Sequence, residues 1–173
     1  MNLHGYGGKI LRVDLRSGQV RKEPLRREMA ERFLGGRGFV AAILYDELDP
    51  GVEPLSPENK VVIASGPLSG FLLPCSGKIA MGAKSPATGG YGDSNMGGHM
   101  APELKYAGYD AVVIEGAAQE PVYLFIDDDR VEVRDASRYW GMKSFEAEEA
   151  LKHDLGEEFQ VATIGPAGER LIK

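Results

Sequence analysis

The chain has 173 residues and a net charge of −6, with 43% apolar and 27% charged residues, which suits one globular domain. An acidic balance without a long basic run argues against nucleic acid or an anionic membrane as the main partner. No apolar run approaches about 20 residues, so no transmembrane helix is expected, and the opening MNLHGYGGKILRVDL lacks the basic-then-apolar pattern of a signal peptide.

Residues 9–15 alternate, with Leu11, Val13 and Leu15 on one face and Arg12 and Asp14 on the other, which predicts a half-buried strand. Arg16-Ser17-Gly18 turns the chain into a hairpin partner over 19–22. Met29, Ala30, Phe33 and Leu34 stand at helical spacing within 27–34, and Gly35-Gly36 ends that helix. A second apolar helix covers 39–48 and stops at Asp49-Pro50. The proline-rich, acidic stretch 49–59 is a surface loop. Val61, Val62 and Ile63 make 60–64 a buried strand, broken by Ser65-Gly66-Pro67. An irregular link over 69–76 carries Phe71, Leu72 and Leu73, and a strand follows over 78–84.

Past a glycine-rich loop at 89–98, Pro102 opens a helix over 103–107 that Gly108 caps. Residues 111–115 form a second continuous apolar strand, and 122–126 pairs with 130–134 as a hairpin around Asp127, Asp128 and Asp129. Three adjacent carboxylates on a hairpin tip diverge, so a solvated turn is preferred to a metal site. Ser144 is the expected N-cap of a helix over 145–155, without a capping box because Ala147 stands at N3. A last strand is expected over 159–164. Helices and strands mixed with hairpins predict an α+β fold. The apolar stub Arg170-Leu171-Ile172-Lys173 has no cap or tail, so the chain is expected to continue and 1–173 to be a first domain.

The stretch 78–110 organises the rest. It enters as a strand, passes the glycine-rich loop and leaves through a helix. Five of the ten residues from Gly89 to Gly98 are glycine, which loses the most backbone entropy on folding and so gains nothing for stability. What glycine offers is positive φ and close approach of another molecule to the backbone. Asp93, Ser94 and Asn95 stand among these glycines. Composition leaves two readings on equal terms: a binding loop for phosphates or a metal, and a surface turn that holds nothing.

A single cysteine, Cys75, cannot form an internal disulfide, which fits a cytoplasmic protein. Nor can it hold an iron–sulfur cluster, which typically takes four. Three scattered histidines, His4, His99 and His153, argue against a zinc site built from this chain alone.

Several segments, in order and at matching spacing, carry a family resemblance: YGGKILRVDL, FLGGRG, DPGVEPLSPENKVVIASGPLSG, AKSPATGG, SNMGG, PELKYAGYDAVVIEG, VEVRDASRYWG and IGPAGE. Together they span nearly the whole chain, which resembles the N-terminal domain of the tungsten-containing aldehyde:ferredoxin oxidoreductases. GDSNMGGHMAPELK looks closer to the branch that includes the tungsten subunit of benzoyl-CoA reductases. The resemblance implies an α+β fold of two mixed or antiparallel β-sheets with flanking short helices. It implies a tungsten held by two pyranopterin dithiolenes, with their phosphates bridged by Mg2+, rather than by protein side chains. Phosphates want backbone N–H groups in a glycine-rich concavity, which Gly97 and Gly98 would supply. Magnesium wants oxygen ligands, and the family uses a main-chain carbonyl at the position matching Asn95. The family also places a basic residue, often arginine, where this chain has Lys78 in Ser76-Gly77-Lys78. Lysine binds phosphate as a point charge without the planar fork; without the resemblance Lys78 reads as a solvated strand opener.

Other residues take plainer readings. Arg37 is a helix-boundary residue pairing with an acid, with cofactor proximity as the lesser alternative. Cys75 is a small apolar residue beside the site rather than a nucleophile, and Trp140 is a packing anchor. His99 is a surface or core histidine before it is a pterin contact. Two functional readings follow. The first is the cofactor-binding domain of an oxidoreductase that converts aldehydes to carboxylic acids and passes electrons through a 4Fe-4S cluster to ferredoxin, or that reduces aromatic acyl-CoA thioesters. Its cluster cysteines, acid–base residues and a second magnesium-ligand segment would lie in later domains, so the isolated chain is expected to be inactive, with no catalytic residue of its own. Such a protein would be a homo-oligomer or a subunit of a complex. The second reading is a stand-alone, non-catalytic phosphate- or pterin-binding or structural module.

Overall fold

The apolar runs at 60–64 and 111–115 are central strands of a sheet packed on both faces, although Val61 in the first is still 40% exposed. The computed structural model describes residues 3–172. They form a mixed sheet of six strands, built from β1 (Lys9–Asp14), β2 (Gln19–Pro24), β3 (Lys60–Ser65), β4 (Ile79–Lys84), β5 (Tyr91–Met96) and β6 (Ala111–Glu115), in the order β2-β1-β6-β3-β4-β5. Only the β1–β6 pair is parallel. The helices α1 (Arg27–Phe33) and α2 (Arg37–Glu47) cover one face, where Ile10, Phe39, Val40, Ile43, Val62 and Val113 pack. The other face carries α3 (Met100–Tyr106) and a separate two-stranded sheet of β7 (Val122–Asp127) and β8 (Arg130–Asp135) over Leu11, Val13, Ile79, Leu104 and Val112. The helices α4 (Ser144–Leu155) and α5 (Gly165–Glu169) follow. The expected α+β fold with two sheets is therefore present.

Four expectations need correction. The glycine-rich stretch is not a loop throughout: Tyr91–Met96 is an edge strand paired antiparallel with β4. Glycine weakens a strand but does not forbid it, and the neighbouring β4 backbone supplies the partners. Residues 159–164 are not a strand; they run irregularly into α5, which periodicity does not mark. Helix α3 begins at Met100, so Pro102 lies third in the first turn, where a missing N–H costs nothing. Finally, Lys143 and not Ser144 is the N-cap of α4, and this places Glu146 at N3. The Glu146 carboxylate accepts the Lys143 N–H at 3.2 Å, while a lysine side chain has no acceptor to complete a box.

Arg12, read as the solvent face of β1, lies under α2. Its Nε donates to Glu23 at 2.6 Å and its Nη groups to Glu47 at 2.8 and 2.5 Å. Lys60 bridges Glu47 to Glu115. Burial pushes the Glu47 carboxyl up, but the bonds and charge of Arg12, joined by Lys60, outweigh it and hold Glu47 below its ordinary 4.5. A lowered folded value stabilises the fold above the unfolded value, and that contribution is lost as pH falls through the folded one. The difference in urea midpoint between wild type and Glu47→Gln is therefore expected to be full at pH 7 and to shrink below 4.5. A difference independent of pH would rule out the ionised network as its source.

Candidate functional site

One end of the large sheet gathers the glycine-rich turns. There β3 ends at Ser65 opposite Ile79, the first residue of β4, while β5 ends at Met96, also opposite Ile79. The starts of β1 and β6 lie at the same end, tied by the Asp110 N–H to the Lys9 carbonyl at 2.8 Å. The turns pack backbone on backbone. A Cβ on Gly5 would stand 2.5 Å from the Pro67 carbonyl oxygen, one on Gly35 2.8 Å from that of Ser65, and one on Gly77 would collide with that of Gly98. Here glycine is required by close approach of two main chains. Around Gly36, Gly97 and Gly98, by contrast, the space a Cβ would enter is open.

Two polar clamps hold these turns. The fully buried Asp110 carboxylate accepts the N–H groups of Gly7 at 3.0 Å and Gly8 at 2.7 Å and pairs with the Lys105 ammonium. Burial, with the Asp110 charge behind it, raises the Tyr6 hydroxyl above its ordinary value. The buried Ser69 hydroxyl accepts from Gly66 N–H at 3.2 Å and donates to the Lys78 carbonyl at 3.3 Å. Neither clamp was visible in the sequence. The only signal was a pair of adjacent glycine N–H groups, Gly7 and Gly8, which need an acceptor if buried.

One edge of the sheet is β5. Ser85 N–H bonds the Gly90 carbonyl at 2.8 Å, and Asn59 engages both the N–H and the carbonyl of Lys84 from the β3 side. In an antiparallel ladder, hydrogen-bonded and non-bonded pairs alternate. Ala83–Gly92, Met81–Ser94 and Ile79–Met96 are therefore the bonded pairs, and the N–H and carbonyl of Asn95, opposite Ala80, face outward. Side chains alternate too. Gly82 lies under Val40 of α2, so its partner Asp93, and Asn95 two residues on, stand on the α2 side. Arg37, at the start of α2, pairs with Asp93 through Nε.

Of the residues singled out, Lys78 immediately precedes β4, is exposed, and has no side-chain hydrogen bond or ion pair among the described residues. The Gly77–Gly98 contact brings its turn against Gly97 and Gly98, both exposed. Lys78, Asn95, Gly97 and Gly98 thus share one corner of the sheet. Cys75 is exposed, at φ 62°, rather than packed. Trp140 is 50% exposed and does not anchor a core in this chain. At the tip of β7–β8, Asp129 bonds Lys9 and Lys22, which docks the hairpin on the large sheet. Among the described residues no group of three His, Cys, Asp or Glu side chains is placed to hold a metal ion, and no helix is long and apolar enough to cross a membrane.

The sheet end combines exposed glycine backbone, a lysine without a side-chain partner among the described residues and an outward main-chain carbonyl. Residues 10–173 match the family model for the N-terminal domain of aldehyde ferredoxin oxidoreductase, and the chain belongs to that family. It is 48% identical over 172 residues to a tungsten-containing aldehyde ferredoxin oxidoreductase of Pyrococcus abyssi, covering 99% of this chain and 28% of that protein. It is 40% identical over 161 residues to an aliphatic sulfonate oxidoreductase, WOR-like subunit, of Pyrococcus furiosus, covering 91% and 26%. Among solved structures, the active-site complex BamBC of benzoyl coenzyme A reductase, in complex with 1,5-dienoyl-CoA, superposes with a TM-score of 0.93 at 42% identity over 96% of this chain and 26% of that one. The chain spans between a quarter and a third of the length of these tungsten-containing relatives.

Proposed function

We propose that the chain, 1–173, is the cofactor-binding N-terminal domain of a cytoplasmic tungstopterin oxidoreductase that oxidises aldehydes to carboxylic acids and delivers electrons through a 4Fe-4S cluster to ferredoxin. The observation that carries the reading is the corner where Lys78, Asn95, Gly97 and Gly98 meet, in a chain that matches tungsten-containing relatives almost end to end. The donor set suits such a group. Phosphates find the unpaired Lys78 ammonium and the open backbone at Gly97 and Gly98. A magnesium ion would find an oxygen ligand in the outward Asn95 carbonyl. A tungsten that brings its own sulfur ligands needs no protein side chain. When bound, the tungsten supplies the redox chemistry; these residues bind and orient it. Aromatic acyl-CoA reduction is the second reading, favoured by the BamBC superposition. Either protein would work as a homo-oligomer or as a subunit of a complex.

The test is elemental analysis for tungsten, molybdenum and magnesium on protein purified from its host without chelators, followed by reduction assays with aldehydes against aromatic acyl-CoA esters. Tungsten with pterin supports the reading, and protein free of both, from a host that makes the pterin, overturns it. Lys78→Gln is expected to weaken cofactor retention about tenfold or more, the effect of one charge-assisted hydrogen bond. Lys78→Arg, restoring the residue common in the family, is expected to retain it fully.

A further inference from the structure

We propose that Arg37 is a second anion clamp of the platform at this corner and that Asp93 is the residue that positions it. The inference rests on the reading of the corner as a phosphate-binding site and adds the cation that faces Lys78 across it. Asp93 accepts from Arg37 Nε, and Arg37 has no other hydrogen bond or ion pair among the described residues. The Arg37 side chain is 62% exposed and that of Asp93 21%. The carboxylate is the anchored member, and the Nη1–Nη2 edge of the guanidinium is left for another oxyanion. A guanidinium gripped through Nε presents its remaining prongs in a restricted orientation, which suits end-on binding of a phosphate. As a structural device the pair would do little, because an exposed ion pair adds little stability.

Its position matters as much as its chemistry. The Gly36 N–H bonds the Ser65 carbonyl at 2.8 Å, level with Ile79, and Val40 stands over Gly82. Arg37 therefore leaves α2 between those levels, where the Ala80–Asn95 pair lies. The strand alternation puts Asp93, Asn95 and, one residue before β4, Lys78 on this same side. Lys78 stands opposite Gly97 when the register is continued, and a rise of about 3.4 Å per residue separates Gly97 from Asp93 by roughly 14 Å. Two long basic side chains close such a span from its ends, with the outward Asn95 carbonyl between them. Two cations flanking an oxygen ligand fit a ligand with two phosphate groups joined through a metal ion, one phosphate to each cation.

The experiment compares wild type, Arg37→Gln, Arg37→Lys, Asp93→Asn and Lys78→Gln, each purified from the host with its cofactor. Tungsten per polypeptide and the fluorescence of oxidatively released pterin are measured before and after prolonged dialysis, beside thermal melts. Arg37→Gln is expected to retain pterin about tenfold less well, at an unchanged melting temperature. Arg37→Lys should fall between, since it keeps the charge and loses the fork, and Asp93→Asn should do the same, because its amide oxygen still accepts from Nε but without the charge that fixes the guanidinium. Full retention by Arg37→Gln beside loss by Lys78→Gln overturns the second clamp and leaves the platform reading standing. Wild-type protein without pterin overturns both. Should Arg37→Gln fail to fold, Arg37→Lys decides: pterin loss at an unchanged melting temperature supports the clamp, and full retention overturns it.

Discussion

Asp110→Ala is expected to destabilise the chain by about 3–5 kcal/mol, the usual effect of removing one partner from a buried ion pair. Asp110 is fully buried and Lys105 is 10% exposed, so water replaces little of what is lost. The substitution strands three donors at once: the N–H groups of Gly7 and Gly8 and the Lys105 ammonium. Leaving a buried donor unpaired incurs its whole desolvation penalty, larger for a charge than for an amide. Asp110→Asn should be milder, because the amide oxygen still accepts one N–H while the lysine charge goes uncompensated. Urea midpoints give the magnitude, and hydrogen exchange at Gly7 and Gly8 gives the location. Those two amides should exchange faster in both variants, ahead of the amides of β3 and β6. A midpoint within about 0.5 kcal/mol of wild type for Asp110→Ala would sink the account, since that is the range of an inert surface site. The loop at stake reaches the platform. Gly5 lies against the Pro67 carbonyl, so Asp110 helps to fix the turn that leads to Lys78.

The sheet was legible where burial is two-sided or strictly alternating. The runs 60–64 and 111–115 and the hairpins at 9–22 and 122–134 all appear where apolar pattern and turn residues place them. The pattern failed where neighbours overrule local preference. Gly92, Asp93, Ser94 and Asn95 have poor strand propensity, yet they pair with β4 because that ladder would otherwise be open. Residues 159–164 have the composition of a strand, but they pair with none among the described residues and stay irregular, with Phe159 packed on Phe125 of β7 through its side chain. The same split runs through the candidate site. Glycine content and the family motifs pointed to Lys78, Asn95, Gly97 and Gly98. The Arg37–Asp93 pair and the clamp of Asp110 on Gly7 and Gly8 join residues whose adjacency only the topology creates, over separations of 56, 103 and 102 positions. Arg12 shows the same limit: alternation gave its side of the strand, and only the packing of α2 made that side an ion-pair network rather than a solvated face.

Gly77→Ala and Gly97→Ala are expected to separate the two uses of glycine at this corner. Neither residue has positive φ, so alanine is tolerated by both backbones and only the surroundings decide. A Cβ on Gly77 collides with the Gly98 carbonyl, which is main chain and cannot swing away, whereas a Cβ on Gly97 meets nothing within 4 Å. Gly77→Ala should therefore destabilise by about 1–3 kcal/mol, as overpacking does, and should also part the 76–78 turn from 97–98 and weaken cofactor retention. Gly97→Ala should leave stability unchanged or raise it slightly, since alanine loses less backbone entropy on folding. It nevertheless puts a methyl group into space that the reading assigns to a phosphate, so retention of pterin should fall while the melting temperature holds. Thermal melts and pterin content on the same preparations decide it. Pterin loss without loss of stability in Gly97→Ala is the signature of an occupied site. If Gly97→Ala keeps its full complement of pterin, the open space above Gly97 is merely solvent, and the phosphates must lie elsewhere on the platform.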